Sequence, residues 1–411
     1  MLLHRPRSCL ARSAPVNSRG APGAARPAAA RRRGATAAAA AQEPAPAAAP
    51  GAAPGAGLDM AERMAFLRED LAHLFDDQGV DASQYEDVVT FLDPITKYDS
   101  VQGYMFNIRM LKSVFSPVFE LHDIRQTGPA EATTRWTMTM KFTPAAALGL
   151  SRWWDPVITF TGTSTYGFNP ATRRINRHID TWDSIANQDF FSTEAFADFF
   201  RQLLATRRTP PLAGPRYTLL RRAPSFEVRR YEPFVIAATP LDNLGAPAPP
   251  DEPGGAAEGA GSGAGARRVN PASAGMRAFN ALAGYLFGKN AAGAKMAMTT
   301  PVLSDTAGNM AFVVDAAPQA PPAALPAPLD PAVQLAAAPG GLWAAAVFGG
   351  VATPRAAAKA AAALLADLEA AGLRPVDPGL WSLARYNDPS VKPRFRRNEV
   401  LVQLASFDLW A

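Results

Sequence analysis

One cysteine and four histidines in 411 residues leave little room for several kinds of chemistry. The cysteine, Cys9, stands near the N-terminus. The rest of the chain therefore has no disulfide, no thiol nucleophile and no cysteine-held zinc or iron–sulfur centre. His4, His73, His122 and His178 are too few and too scattered for a histidine-rich metal site. No apolar run approaches the roughly 20 residues that a membrane-spanning helix needs. Acids are almost missing from residues 1–57, which hold eight arginines and only Glu43, a balance of +7. The remaining 33 cations and 35 acids leave −2, so the overall +5 does not describe a basic folded surface. A nucleic-acid-binding face is not indicated.

What those first 57 residues do contain is Arg, Ala, Pro and Ser without periodicity. They lack the apolar core of a secretory signal, and their composition is that of an organelle transit peptide. Arg31-Arg32-Arg33-Gly34-Ala35-Thr36, running into an alanine tract, marks a candidate cleavage region. The other reading is a disordered low-complexity tail. Composition alone does not separate plastid from mitochondrion.

From Asp59 the pattern becomes periodic. Asp59 can cap a helix in which Met60, Met64, Leu67, Leu71 and Leu74 recur at helical spacing, and a second helix is predicted over Val101–Phe115. Strands follow over 133–142, 157–168 and Ile175–Asp183, the first two alternating apolar residues with threonines. A helix at Thr193–Leu204 closes the unit, with Phe196, Phe199, Phe200 and Leu203 on one side. Helices followed by a curled antiparallel sheet predict an α+β cone over 58–206, with a cavity at its mouth. A Pro-rich linker, 207–215, leads to a second domain, 216–411. There the predicted order is two strands (Phe226–Tyr231, Phe234–Thr239), a helix (271–287) and two strands (296–304, 310–314). It then repeats, with strands at Val333–Ala337 and Leu342–Gly349, a helix at Pro354–Ala371, and strands at Trp381–Tyr386 and Glu399–Ala405. Such a duplicated β-β-α-β-β unit can close one antiparallel barrel flanked by two helices. The Gly/Ala/Pro-rich insertion 245–265 has no reason to fold.

Four strings carry a resemblance. They are Phe226-Glu227-Val228-Arg229-Arg230-Tyr231-Glu232-Pro233-Phe234; Ala283-Gly284-Tyr285-Leu286-Phe287-Gly288-Lys289-Asn290; Lys295-Met296-Ala297-Met298-Thr299-Thr300-Pro301-Val302; and Tyr386-Asn387-Asp388-Pro389 followed by Arg396-Arg397-Asn398-Glu399-Val400. In this order they resemble the SOUL haem-binding family over about 216–406. The first domain looks like the uncharacterised domain fused ahead of SOUL in plant and algal plastid proteins. The strings there are Asp93-Pro94-Ile95-Thr96, Gly103-Tyr104-Met105-Phe106-Asn107-Ile108, Thr134-Arg135-Trp136-Thr137-Met138 and Asp180-Thr181-Trp182-Asp183-Ser184. That resemblance implies a nuclear-transport-factor-2-like cone and tips the leader toward a chloroplast address.

The SOUL resemblance implies reversible binding of haem or another porphyrin in an apolar cleft beside the first barrel helix, for trafficking, buffering or sensing, without catalysis. The residues that fit such a cleft are Met276, Phe279, Leu282, Ala283, Leu286 and Phe287, a stripe that is equally suited to an ordinary core. Propionates need cations at the edge, for which Arg277, Lys289, Lys295 and the Lys392/Arg394/Arg396/Arg397 cluster are candidates. Residues 216–411 contain no His and no Cys, so the common strong axial ligands are missing from this domain; Met276, Met296, Met298 and Tyr285 remain. Such a site suits an exchangeable ligand, and free-base or magnesium porphyrins as well as haem.

Two other readings stay open. An enzyme site in the cone would use His178, Asp180 and Trp182, which share one strand face, and would show a polar-lined cavity. An interaction protein of thylakoid-associated lipid particles (plastoglobules) would show an exposed apolar patch and peripheral attachment. A phosphate loop is excluded at Gly284–Lys289, where the glycines stand too close and Asn290 replaces the magnesium-binding hydroxyl.

Overall fold

The computed structural model describes residues 58–151, 154–241, 268–272, 275–315 and 321–410. The expected leader and the 245–265 insertion lie outside the described residues.

The cone begins with α1 (Met60–Asp70), whose N-terminal amides at Ala61 and Glu62 donate to the Asp59 carboxylate at 2.9 and 3.2 Å. Strands β1 (Tyr85–Leu92) and β2 (Lys97–Tyr98) precede α2 (Val101–Val114). Then come β3 (Phe115–Gly128), β4 (Glu131–Phe142), a single turn α3 (Pro144–Ala147), β5 (Val157–Phe168), β6 (Ile175–Trp182) and α4 (Thr193–Leu203). The strands order β2-β1-β6-β5-β4-β3, antiparallel except for the β1–β6 pair. The α+β cone is therefore as expected, with β1, β2 and β3 added. Acids at Glu86 and Asp87 break the alternation of β1. Pro117 falls in β3, where it is tolerated because β3 is the sheet edge. Helices α1 and α2 cover one part of the concave face with Leu67, Tyr85, Phe91, Tyr104 and Tyr166. Trp136, Ile158, Phe160 and Trp182 fill the other part with Ala195 of α4.

The second domain starts one strand earlier than the alternation suggests, with β7 (Tyr217–Arg222). It continues through β8 (Glu227–Tyr231), β9 (Phe234–Pro240), α5 (Met276–Leu286), β10 (Val302–Asp305) and β11 (Asn309–Asp315). The second half is β12 (Gln334–Ala338), β13 (Gly341–Gly349), α6 (Pro354–Ala370), β14 (Trp381–Arg385) and β15 (Arg397–Gln403). Residues 296–301, predicted as extended, lie in no strand; β10 begins only at Val302. The strand order β12-β9-β11-β10-β14-β15-β13-β8-β7 closes into a ring because two consecutive pairs act as single bent strands. β8 pairs with β13 and β9 with β12, so the bend at Glu232-Pro233 crosses the bend at Pro339-Gly340. Gly340 is required at that crossing: its φ is +76°, and a Cβ there would stand 2.4 Å from the Tyr231 carbonyl oxygen.

The barrel's large apolar cores lie outside the ring, under the helices. Leu364 and Leu368 of α6 meet Val228, Val400 and Val402; Leu282 and Leu286 of α5 meet Ala237, Met310 and Phe312. Alternation then sends the other side chains of the same strands inward, where Arg229 and Glu399 are fully buried.

The threonine rows of β4 and β5 have a packing role. Thr137 Oγ1 donates to the Leu219 carbonyl at 2.7 Å, and the Arg222 amide donates to Thr161 Oγ1 at 2.7 Å, so β7 lies across the outer face of the cone's sheet. Arg222 also grips the buried Asp198 of α4 through both terminal nitrogens at 2.7 and 3.0 Å. Removing Arg222 leaves the buried Asp198 charge with only the longer 3.5 Å contact to the exposed Arg201 and the hydrogen bonds of Ser184 and Gln202. Arg222→Met is therefore expected to lower urea stability by roughly 3 kcal/mol. A loss below about 0.5 kcal/mol would mean the pair is as weak as an exposed one.

Candidate functional site

Helix α5 presents two faces. At about 100° per residue, Met276, Phe279, Ala283 and Phe287 fall on one stripe, and Ala278, Leu282 and Tyr285 on the far side, with Leu286 between the two, next to Phe279. Solvent exposure follows this division: Met276 is 76% exposed, Phe279 38% and Phe287 56%, whereas Leu282 and Leu286 are at 0% and 1%. Ala283 is half-buried. The six candidate apolar residues thus separate into an inner pair that holds the helix to the sheet and an outer stripe about 16 Å long. Phe279 stands edge-on to Phe312 at 5.2 Å, which anchors the stripe on β11.

Two of the candidate cations follow the C-terminal end of that stripe. The Lys289 amide donates to the Gly284 carbonyl at 2.8 Å and its stem lies along Gly284, where a Cβ would come within 3.0 Å of the Lys289 Cδ. Lys295 pairs with Phe287 in a short antiparallel bridge. Both are exposed. Arg396 is placed differently. It donates to the carbonyls of Val391 and Pro389, braces its own loop, and pairs with Arg208 of the linker. Tyr285 is buried and donates to the Pro326 carbonyl at 2.9 Å, which takes it out of reach of an outer ligand.

Inside the ring, Arg229 donates to both Glu399 oxygens at 2.8 and 2.9 Å, and to Glu227 and the Tyr231 hydroxyl at 2.7 and 2.9 Å. Arg397 reaches Glu399 from the other side, and Tyr386 donates to it at 2.8 Å. Burial alone would raise the Glu399 carboxyl; the guanidiniums of Arg229 and Arg397 outweigh it and hold the carboxyl well below the usual range. Above this network lies a cavity of about 240 Å³, lined by Tyr217, Tyr231, Phe234, Trp343, Tyr386, Arg397 and linker residues Thr209 and Leu212. Sequence reasoning missed it. The signal was charge at alternate inward positions, Glu227/Arg229 and Arg397/Glu399, in strands whose outward positions include Val228, Val400 and Val402.

The cone holds a smaller cavity of about 70 Å³ between Asp93, Asn107, Tyr104, Trp136, His178 and Asp180. His178 Nε2 and Asp180 Oδ1 are 2.8 Å apart, and Ser164 joins them by donating to Asp180 while accepting from the Trp136 indole at 2.7 Å. His178 is enclosed by Phe91, Tyr104 and Tyr166, and its Nδ1 has no hydrogen-bond partner among the described residues. Asp93 accepts from the Ile95 and Thr96 amides at 2.6 and 2.5 Å. Burial pushes its carboxyl up to about 6 against the pull of Thr96, and the Asp180 charge adds to the rise.

The folded state therefore prefers protonated Asp93. That preference stabilises fully below the ordinary value of 3.8 and is lost as pH rises through about 6. The span corresponds to at most about 3 kcal/mol. Asp93→Asn keeps the Oδ1 acceptor and is expected to match the parent chain in urea midpoint near pH 3.5 and to exceed it at pH 7.5. A parallel pH profile for the two proteins would show that the carboxyl is ionised at no cost in the fold.

Compared with known families, residues 212–403 match the model described as SOUL heme-binding protein. Residues 61–178 match the one described as Uncharacterized conserved protein (DUF2358). No curated protein matches the chain. Solved structures similar to the N-terminal part include an NTF2-like protein of unknown function from Exiguobacterium sp. 255-15, with 19% identity, 29% of this chain and 98% of that chain covered, and TM-score 0.24. An LEH-like epoxide hydrolase of M. tuberculosis has 13% identity, covers 36% of this chain and 92% of its own, and has TM-score 0.26. An NTF2-like protein from Burkholderia thailandensis E264 has 9% identity, 28% and 88% covered, and TM-score 0.23. The activity in the second name belongs to that protein.

Proposed function

With residues 212–403 a SOUL heme-binding domain and residues 61–178 a DUF2358 region, we propose that this chain reversibly carries haem or a related tetrapyrrole on the outer stripe of α5. The observation that supports the reading is the exposure of Met276, Phe279 and Phe287, with half-buried Ala283 between them and Lys289 and Lys295 at one end. A flat macrocycle laid on the stripe gains about 2.5 kcal/mol for each 100 Å² of apolar surface covered. The two ammonium groups are placed to meet propionates at its edge. Residues 216–411 offer the iron no His or Cys, so holding rests on the macrocycle and its acids, and the ligand stays exchangeable. Magnesium and metal-free porphyrins fit the same site. The arginine-rich leader and the family resemblance favour a plastid setting, with peripheral contact to thylakoids or plastoglobules; among the described residues no helix is long and apolar enough to cross a membrane.

A lipid-particle coat is the second reading, because it would use the same exposed stripe. The enzyme reading is less well served. The cone's cavity of about 70 Å³ is under half of the ~150 Å³ that holds benzene, so as it stands it is too small for a ring-sized substrate.

Haem titrated into the full chain is expected to give saturable one-to-one Soret changes. Met276→Asp/Phe287→Asp changes only exposed positions and should weaken binding at least tenfold without altering the melting temperature. Lys289→Glu/Lys295→Glu should weaken haem severalfold yet leave haem dimethyl ester almost unaffected. Unaltered haem binding in the first variant would remove the stripe from the account. Flotation of the chain with neutral-lipid droplets, lost in that variant while haem fails to saturate the parent, would favour the coat.

A further inference from the structure

The barrel cavity shares no residue with the outer stripe of α5. At about 240 Å³ it exceeds the ~150 Å³ that accommodates benzene, and falls below the ~300 Å³ at which pockets for larger organic ligands begin. One or two fused rings fit this space, and a whole tetrapyrrole does not.

Its walls are aromatic and held in place. The Tyr231 hydroxyl accepts from Arg229 and the Tyr386 hydroxyl donates to Glu399, so the buried ion network fixes where both rings stand. Tyr217 packs on Tyr231 with centroids 5.0 Å apart, and the Arg397 guanidinium lies over Tyr386 at 4.6 Å. Trp343 forms a further wall. The ring faces supply the contact area. Polar groups at the edge are few: the hydroxyls of Thr209, Ser382 and Thr300, and Arg397, which donates to Glu399 and to Thr209 Oγ1 and keeps further N–H groups for a guest. Two guanidiniums balance two carboxylates beneath, so nothing in the network favours a charged guest.

One wall comes from the joint between the domains. Linker residues Thr209 and Leu212 line the cavity. The joint is pinned there by the Thr300 amide donating to the Ala213 carbonyl at 2.8 Å and by Asn387 donating to the Arg208 carbonyl at 3.0 Å. Gly214 lies so close to the Thr300 carbonyl that a Cβ would stand 2.5 Å from its oxygen.

We propose that the barrel interior is a second ligand site, separate from the tetrapyrrole stripe, for an uncharged planar molecule of one or two rings bearing a carbonyl or phenolic oxygen. The rings stack among Tyr217, Tyr231, Trp343 and Tyr386, the oxygen accepts from Arg397, and Leu212 covers the entrance. Occupation would tie the cone to the barrel, because the linker is part of the wall.

2-Naphthol titrated calorimetrically into the full chain is the test. One-to-one binding is expected, at least tenfold weaker in Ser382→Trp, which fills the cavity, and in Leu212→Glu, which charges its exposed rim. It should be unchanged in Met276→Asp/Phe287→Asp and in haem-saturated protein. Naphthalene should bind at least fivefold more weakly than 2-naphthol. Circular dichroism identifies any variant that fails to fold; the rim variant alters only a half-exposed side chain and then decides alone. The proposal is overturned by absent or unsaturable binding, by loss only in the stripe variant, or by one-to-one displacement with haem. Haem binding that fails while 2-naphthol still binds would sink the tetrapyrrole carrier and leave this second site standing.

Discussion

Arg229 and Glu399, both fully buried, face each other across the inside of the barrel, and much of the second domain follows from keeping that pair satisfied. Two ions removed from water cost several kcal/mol each, and the cost is offset only if every donor and oxygen is engaged. Here Glu227 takes the outer side of Arg229, while Arg397 and Tyr386 complete Glu399. The ring is narrow enough for these groups to reach one another, and the bulk of apolar surface is displaced to the outside. Two helices must then cover it. One of them, α5, is the helix whose outer face carries the exposed apolar stripe proposed as the ligand site.

That division explains the dual character of the stripe. Leu282 and Leu286 are buried core; Met276 and Phe287 remain open, and Phe279 bridges the two by packing on Phe312. A domain built this way can bind and release a flat apolar ligand on its exterior without disturbing its interior. The same constraint leaves a cavity between the ion network and the linker, because tyrosines committed to Arg229 and Glu399 cannot lean inward to fill it.

Much of this was legible in the residues. Period-two segments located β4, β5, β6, β8, β9 and β13 to within a few residues, and the repeated order of elements announced the duplicated barrel. The strings that carry the family resemblance include Arg229, Tyr231, Tyr386, Arg397 and Glu399, which form the buried network. Ionised residues in a strand read as surface, and only their partners across the ring, 170 positions away for Arg229 and Glu399, show otherwise. For the same reason β7 went unread: Tyr217–Arg222 has no alternation of its own and is a strand because β8 and the cone's threonines lie on either side. In the cone, the His178–Asp180 pair was visible as spacing, whereas its closure by Ser164, Trp136 and three aromatic rings depends on other strands and on α2.

The claim that organises the rest is that a tetrapyrrole lies on the outside of α5. Binding zinc protoporphyrin to full-length protein labelled at its methionine methyl groups and tryptophan indoles tests it most directly, since a diamagnetic macrocycle shifts only nuclei close to its ring. The account predicts a large upfield shift of the Met276 methyl, a small one for Met310 behind the helix, and none for Met60 or Met140 in the cone. A stationary Met276 resonance, with the Trp343 indole signal moving instead, would put the ligand inside the barrel and contradict the account.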